Sequence, residues 1–171
     1  MPAHRIHTIQ PEEADQVRRM RLAMILDTPI AFGESYEEAL ALPPEEWERR
    51  ALRRTGHDST GYAAVDEATG EWIGAMNSEL DDQDPAVAWL GGVWVRPDRR
   101  GGGEGVADAL LDAVLTWARA QVGVKLLRLE VHETNSRAIA FYERRGFVRN
   151  GVLVPYVLDP RTRELEMDLA L

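Results

Sequence analysis

A glycine-rich segment is the part of the sequence whose residue types and spacing most clearly predict chemistry. Arg99-Arg100-Gly101-Gly102-Gly103-Glu104-Gly105 follows the apolar run Val93-Trp94-Val95 and precedes a helical pattern that begins at Val106. A helix N-terminus has unpaired N–H groups and a partial positive charge, so it attracts phosphate oxygens, and glycine lets the backbone approach such an anion closely. The two arginines can add charge-assisted bonds. We predict a phosphate-binding loop here; the alternative is a glycine-rich turn that binds no ligand.

The spacing within this loop excludes two common phosphate motifs. A nucleotide-triphosphate loop requires Gly-Lys-Ser/Thr, and the segment contains no lysine. The dinucleotide fingerprint Gly-x-Gly-x-x-Gly also fails, because its last position is not glycine when counted from Gly101 or from Gly103. The remaining pattern is Arg-x-x-Gly-x-Gly, which Arg100, Gly103 and Gly105 fulfil.

A second segment with chemical potential runs from Asn135 to Phe147 and reads Asn-Ser-Arg-Ala-Ile-Ala-Phe-Tyr-Glu-Arg-Arg-Gly-Phe. Asn135 is a favourable N-cap for the helix that follows. Ala138 permits the close approach of another group, and Tyr142 can direct its hydroxyl into a cleft. The alternative is that Tyr142 only packs, with its hydroxyl at the surface.

Together and in this order, the two segments resemble the GNAT N-acetyltransferase superfamily, most clearly over Trp72 to Leu171. The resemblance implies that Arg100 to Gly105 bind the pyrophosphate of acetyl-CoA. It also implies that Asn135 lies beside the pantetheine arm and that Tyr142 protonates the departing CoA thiolate. Glu104 departs from the family, which usually has an apolar or neutral residue there. A carboxylate beside a phosphate is unfavourable unless it points outward.

Two adjacent glycines, Gly91 and Gly92, lie inside the strand that leads to the loop. Glycine within a strand often marks a bulge or a close backbone approach. In the resembling family a bulge here separates two parallel strands, and the pantetheine inserts between them. Val93 and Val95 would then pair with the pantetheine amides, while backbone groups near Trp94 would polarise the thioester. The alternative is a simple distortion of the sheet.

Glu130 is the first candidate for the base that must deprotonate an amine nucleophile. Strand alternation in Leu127-Arg128-Leu129-Glu130-Val131-His132 places Arg128, Glu130 and His132 on one face. Glu130 precedes Tyr142 by twelve positions, the spacing between base and acid in the ribosomal-protein branch of the resembling family. The alternative is a structural ion pair with Arg128 or with a helix arginine.

Other residues are secondary candidates for the base. Many members of the resembling family carry a glutamate on the strand before the glycine loop, but the comparable position here is Trp89. Glu79, Asp81 and Asp82 lie near the end of the previous strand and serve as alternatives. His132 titrates near neutrality in its unperturbed form, at a pKa of about 6.5, although a histidine beside a capping asparagine is more often structural.

These residues need a scaffold, which hydrophobic periodicity and turn residues predict. Strands are expected at His4–Gln10, Gly61–Val65, Trp72–Leu80, Ala86–Val95, Leu126–His132, from Phe147 onward and at Leu165–Leu169. Helices are expected from Pro11 to Thr28, and at Glu34–Leu42, Glu45–Arg54, Val106–Gln121 and Ser136–Arg145. With the resemblance, this order predicts an α/β fold with a mixed, mostly antiparallel twisted sheet. About six or seven strands would be flanked by helices, and the central parallel strands would be splayed.

Composition limits the class of protein. A length of 171 residues predicts a single domain over 1–171. Zero cysteines exclude disulfides, thiolate zinc sites and a cysteine nucleophile, and we expect no other metal site. The net charge of −9 argues against nucleic-acid binding and suits a cationic partner. The first ten residues contain no long apolar run, so we expect a cytoplasmic protein without a membrane segment.

These observations lead to one functional hypothesis and one alternative from another class. We expect an N-acetyltransferase that uses acetyl-CoA as co-substrate and acetylates a primary amine, on a small molecule or a peptide, by direct transfer in a ternary complex. The alternative is a non-catalytic acyl-CoA-binding sensor or interaction module on the same fold. A homodimer is an open alternative to a monomer.

Overall fold

The computed structural model describes residues 3–101 and 103–171, and in these residues seven strands form one sheet. The order across the sheet is β1-β2-β3-β4-β5-β7-β6. The strands are β1 His4–Thr8, β2 Ser59–Asp66, β3 Trp72–Leu80, β4 Val87–Val95, β5 Leu126–His132, β6 Val148–Tyr156 and β7 Asp159–Ala170. The helices are α1 Ala14–Asp27, α2 Tyr36–Leu40, α3 Pro44–Arg53, α4 Val106–Ala120 and α5 Ser136–Arg144. The predicted mixed α/β fold is therefore confirmed.

Strands β4 and β5 pair in parallel and then separate. Their register covers Val87–Trp89 against Leu126–Arg128 and goes no further within the described chain. The other five neighbouring pairs are antiparallel in the same described residues. The predicted splaying of the central parallel strands is confirmed, and it opens a gap beside the second half of β4.

Two apolar clusters cover the opposite faces of the sheet. On one face α4 buries Leu110, Leu111 and Val114 completely, each 0% exposed. On the other face, α1 and α3 pack Val17 and Trp47 against the alternate residues of β2 to β4. Complete burial of one such aliphatic side chain stabilises the fold by about 1.5–3 kcal/mol. The site residues on β4 and β5 are thus held between two rigid layers.

Several predicted boundaries differ from the structure, and the first helix, the second helix and the last strand differ most in length. The first helix begins at Ala14 and not at Pro11, because the Glu13 carboxylate accepts a hydrogen bond from the Gln10 N–H at 2.7 Å and holds the intervening residues in a turn. The second helix is only five residues long, since Ser35 and Glu38 form a capping box that fixes its start at Tyr36. The last strand is longer than predicted because residues 163–168 also pair with β6.

Among the described helices, none combines the length and the apolar composition that crossing a bilayer requires.

Candidate active site

A cleft of about 670 Å³ occupies the gap between β4 and β5. Small-molecule sites typically enclose about 300–1,000 Å³. The glycine loop lines one end, the β4 residues Gly91 to Val95 line a wall, and Glu130 and Tyr142 reach it from β5 and α5. The two predicted motifs, 30 or more residues apart in sequence, therefore meet in one cavity.

A β-bulge shapes the β4 wall of this cleft. Ala75 pairs with Trp94 and Asn77 pairs with Gly91, so Gly92 and Val93 together oppose the single residue Met76. Gly92 has a φ of 58°, and an added Cβ would lie 2.1 Å from Oδ1 of Asn77. Only glycine fits there. The bulge predicted from the paired glycines is present.

Backbone groups beyond the bulge face the gap. Arg96 donates its N–H to the Ile73 carbonyl at 2.8 Å, so by strand alternation Val95 directs its N–H and C=O groups away from β3. The Val95 carbonyl accepts a hydrogen bond from Nε of Arg100 at 2.6 Å. Val93 lies in the bulge, and both valines line the cleft. Their pairing with the pantetheine amides stays a prediction.

The glycine loop forms a backbone concavity at the start of α4. Gly101, Gly103 and Gly105 have φ values of 67°, 74° and 66°, and an added Cβ at each would meet no atom within 4 Å. Gly105 is the N-cap of α4 and has no side chain with which to cap the first turn. The backbone N–H groups in the first turn of α4 therefore have no capping side chain, and they are suited to bind an anion. Gly102, also predicted to bind cofactor, lies outside the described residues.

The two arginines of the loop bind carboxylates of the protein. Arg100 binds Asp27 at the end of α1, and Arg99 binds Asp66 at the end of β2. Glu104 lies 3.4 Å from Nη1 of Arg99 and is absent from the described cleft lining. This pairing explains how a carboxylate is tolerated in the loop. The arginine side chains thus position the loop, and since both arginines also line the cleft, their part in cofactor binding stays a prediction.

Tyr142 is buried at the base of the cleft, with 5% of its surface exposed. Its ring packs edge-on against Phe141 and Phe147 at centroid distances of 5.5 and 5.6 Å. Burial raises the pKa of the Tyr142 phenol above its ordinary value. The hydroxyl therefore keeps its proton at neutral pH and can donate it to a stronger base.

Glu130 lies on β5 where the strand faces the cleft. Desolvation by the cleft and then the negative charge of Glu166 on β7 raise the pKa of the Glu130 carboxyl. Arg128, the predicted structural partner, instead binds Asp168 at 2.7 Å and Glu166 at 3.1 Å. A carboxylate with a raised pKa and no cationic partner in the described chain is well suited to accept a proton.

Asn135 and His132 have structural contacts at the edge of the cleft. Oδ1 of Asn135 accepts the Ala138 N–H at 3.3 Å, which makes Asn135 the predicted N-cap of α5. His132 is 4% exposed, and its two ring nitrogens lie 2.9 Å and 3.0 Å from the hydroxyls of Thr134 and Thr162. Both nitrogens are therefore occupied, which favours the structural interpretation of His132.

The alternative bases lie outside this cleft. Asp81 accepts hydrogen bonds from Nε1 of Trp89 and from two backbone N–H groups, and these bonds lower the pKa of its carboxyl. Glu79 lines a neighbouring cavity, and the described cleft lining does not include Asp82. Asp81 is thus engaged by the Trp89 indole and by its own loop.

Three residues of the site were not identified from the sequence. Asp27 links α1 to the loop, and no local pattern reveals a contact across 73 residues. Arg137 and Arg144 line the cleft from α5, where they add positive charge for an anionic ligand. Their separation of seven positions places them on one helix face, which could have indicated them.

Comparisons with known proteins agree with this geometry. The model of the Acetyltransferase (GNAT) family matches residues 28–147. The mycothiol acetyltransferase of Salinispora tropica is 35% identical over 104 residues, which are 59% of this chain and 33% of that protein. The chain thus spans about a third of the length of the curated relatives it matches.

Two solved structures have the same fold. The ribosomal-protein-S5-alanine acetyltransferase of Vibrio fischeri superposes with a TM-score of 0.79 at 13% identity, covering 99% of this chain and 94% of that one. A GCN5-related N-acetyltransferase from Kribbella flavida gives a TM-score of 0.75 at 22% identity, covering 99% and 98%.

Proposed function

Because the chain belongs to the GNAT acetyltransferase family, we propose that it transfers the acetyl group of acetyl-CoA directly to a primary amine in a ternary complex. The observation that supports this most is the convergence of the glycine loop, the Gly92 bulge, Glu130 and Tyr142 on one cleft. A site for binding alone needs the loop and the cleft, whereas transfer also needs a proton acceptor and a proton donor.

The loop and the bulge would bind and orient acetyl-CoA. The α4 N-terminus and the backbone of Gly101, Gly103 and Gly105 suit the pyrophosphate, and Arg137 and Arg144 add positive charge for its phosphates. Asn135 would contact the pantetheine at the edge of the cleft. N–H groups freed by the bulge at Gly92 and Val93 would bond the thioester oxygen as negative charge develops on it.

Glu130 and Tyr142 would manage the protons. Glu130 takes a proton from the acceptor ammonium, directly or through water, and the amine nitrogen attacks the thioester carbonyl carbon. The C–N bond forms, the nitrogen releases its second proton to water, the C–S bond breaks, and the sulfur leaves with the electron pair. The thiolate then takes the phenolic proton of Tyr142, and the tyrosinate is reprotonated from solvent. The raised pKa of Glu130 favours its uptake of a proton, and the raised pKa of Tyr142 keeps the phenol protonated until the thiolate forms.

One observation favours the second candidate, a binding-only acyl-CoA sensor. Trp89 occupies the position where many members of the family carry a glutamate, and Asp81 beside it is bound to the indole. Glu130 offers a base at another place in the same cleft, so we retain transfer as the main proposal.

The experiment that tests the proposal separates binding from turnover. Acetyl-CoA affinity is measured by isothermal titration calorimetry, and free thiol release is measured over a panel of small amines, polyamines and peptides. We expect tight binding and acceptor-dependent release of CoA. Tight binding without release from any amine would contradict transfer and support the sensor.

A further inference from the structure

A second cavity of about 390 Å³ lies on the opposite side of the bulge from the glycine loop. It shares Phe32 and Gly92 with the candidate active site, so the two cavities meet where the acetyl group would lie. Residues of α1, α3, β2 and β3 enclose it. We call it the basic cavity, because its lining contains four arginines and three glutamates: Arg21, Arg50, Arg53, Arg54, Glu34, Glu46 and Glu79.

The glutamates of the basic cavity already have partners. Glu34 binds Arg21 at 3.0 Å and Arg50 at 2.7 Å, and Glu46 also binds Arg50. Glu79 lies 3.9 Å from Arg53. The lining therefore has one positive charge in excess, and the pairing leaves that charge on Arg54.

Arg54 is a largely buried cation that has no carboxylate partner among the described residues. Its Nη1 donates to the Arg50 carbonyl, and its stem packs against Gly61. Burial, and then the charges of the neighbouring arginines, lower the pKa of Arg54 to about 10. A desolvated cation without a counterion is costly, so this position is suited to an anion that the ligand supplies.

We propose that the basic cavity binds a carboxylate of the acceptor, and that the acceptor is an amino acid or a related amine that carries a carboxylate. Arg54 pairs with the carboxylate, and the amine extends past Gly92 into the candidate active site. This inference rests on the proposed acetyl transfer, because that reaction defines which end of the ligand must reach the cleft.

The test compares acids with their carboxamides, which differ in charge and hardly in shape. A panel of α-, β- and γ-amino acids and the matching carboxamides is titrated calorimetrically into the full chain saturated with CoA. We expect at least one acid to bind about 10- to 100-fold more tightly than its carboxamide, the range for a hydrogen-bonded charge pair. Equal binding of every pair, or no binding of any acid, would overturn the inference.

Variants assign the effect to the cavity. Arg54→Gln should abolish the preference for the acid, whereas Arg54→Lys keeps the charge and should retain part of the preference. Arg119→Gln is the control, because it removes the same charge from an exposed residue at the end of α4, outside the described lining. Thermal unfolding identifies any variant that fails to fold, and Arg54→Lys then carries the test, since its preference should fall below that of the wild type. An unchanged preference in both Arg54 variants would also overturn the inference.

Turnover distinguishes this inference from the proposed function. CoA release with the carboxamides as readily as with the acids would support acetyl transfer and remove the role of the basic cavity. Preferential binding of acids without CoA release would support the basic cavity and contradict acetyl transfer.

Discussion

Arg100 of the glycine loop binds Asp27 at the C-terminal end of α1, and the same carboxylate accepts the Trp94 Nε1–H at 2.9 Å. One aspartate therefore ties the loop and the strand before it to a helix on the other side of the sheet. Burial opposes ionisation of Asp27, but hydrogen bonds from Arg100, Thr28 and Trp94 prevail and lower the pKa of its carboxyl. The phosphate-binding loop depends in this way on a residue far from it in sequence.

Asp27→Asn should destabilise the protein by about 1–3 kcal/mol, because it leaves a partly buried guanidinium without its counterion. The stability from the lowered pKa is present above the ordinary aspartate pKa of about 4 and is lost as pH falls through the native value. Urea unfolding at pH 7 and at pH 3 should therefore show that acidification lowers the free energy of unfolding less in the variant than in the wild type. A double-mutant cycle with Arg100→Gln should give a coupling of about 1 kcal/mol or more. Additive effects of the two substitutions would contradict the ion pair between Asp27 and Arg100.

The sequence predicted the fold and the motifs well where the determinants are local. The paired glycines Gly91 and Gly92 indicated the bulge, and Asn135 indicated a helix start, since each acts through its own backbone conformation. The partner of Arg100 was not predictable, because ion pairs across 73 residues depend on the packing of α1 against β4. Arg54 was missed for the same reason, because its lack of a carboxylate partner becomes evident only when the surrounding elements are in place.

Gly92→Ala should damage both stability and turnover. A positive φ costs a residue with a Cβ about 1–2 kcal/mol, and here the Cβ also collides with Asn77. Gly70→Ala is the matched control, because Gly70 has a φ of 73° but open space around it. We expect Gly92→Ala to lower the free energy of unfolding more than Gly70→Ala, and adding Asn77→Ala to recover part of the difference. Equal losses in the two alanine variants would show that Asn77 does not restrict the bulge.

Tyr142→Phe should lower kcat about 100-fold or more, within the range for loss of a general acid. The KM for acetyl-CoA should change less than about threefold, because the ring and its packing against Phe141 and Phe147 remain. Steady-state thiol release measures both constants. Tyr62→Phe removes a hydroxyl from β2, outside the described cleft lining, and should leave kcat unchanged. An unaltered kcat in Tyr142→Phe would remove Tyr142 from the mechanism.

Glu130→Gln should lower turnover and slightly raise stability, and the two effects together distinguish a base from a structural residue. Desolvation and Glu166 raise the pKa of Glu130, so its ionised form is less favourable in the folded protein than in the unfolded chain. The native protein binds more protons between the ordinary pKa of about 4.3 and the raised value. Stability is therefore lost as pH rises through that interval, and the neutral amide should relieve the loss at pH 7.

Unlike stability, which should rise, turnover should fall in Glu130→Gln, and its pH dependence should change. In the wild-type protein kcat/KM should rise with pH as Glu130 ionises, and Glu130→Gln should abolish this acidic limb while lowering kcat/KM about 100-fold. Glu143→Gln, an exposed α5 carboxylate outside the described cleft lining, should retain the wild-type pH profile. The measurements are pH-dependent thiol release and urea unfolding at pH 7. A pH profile that survives in Glu130→Gln would assign proton removal to another group, with Glu79→Gln as the next variant to assay.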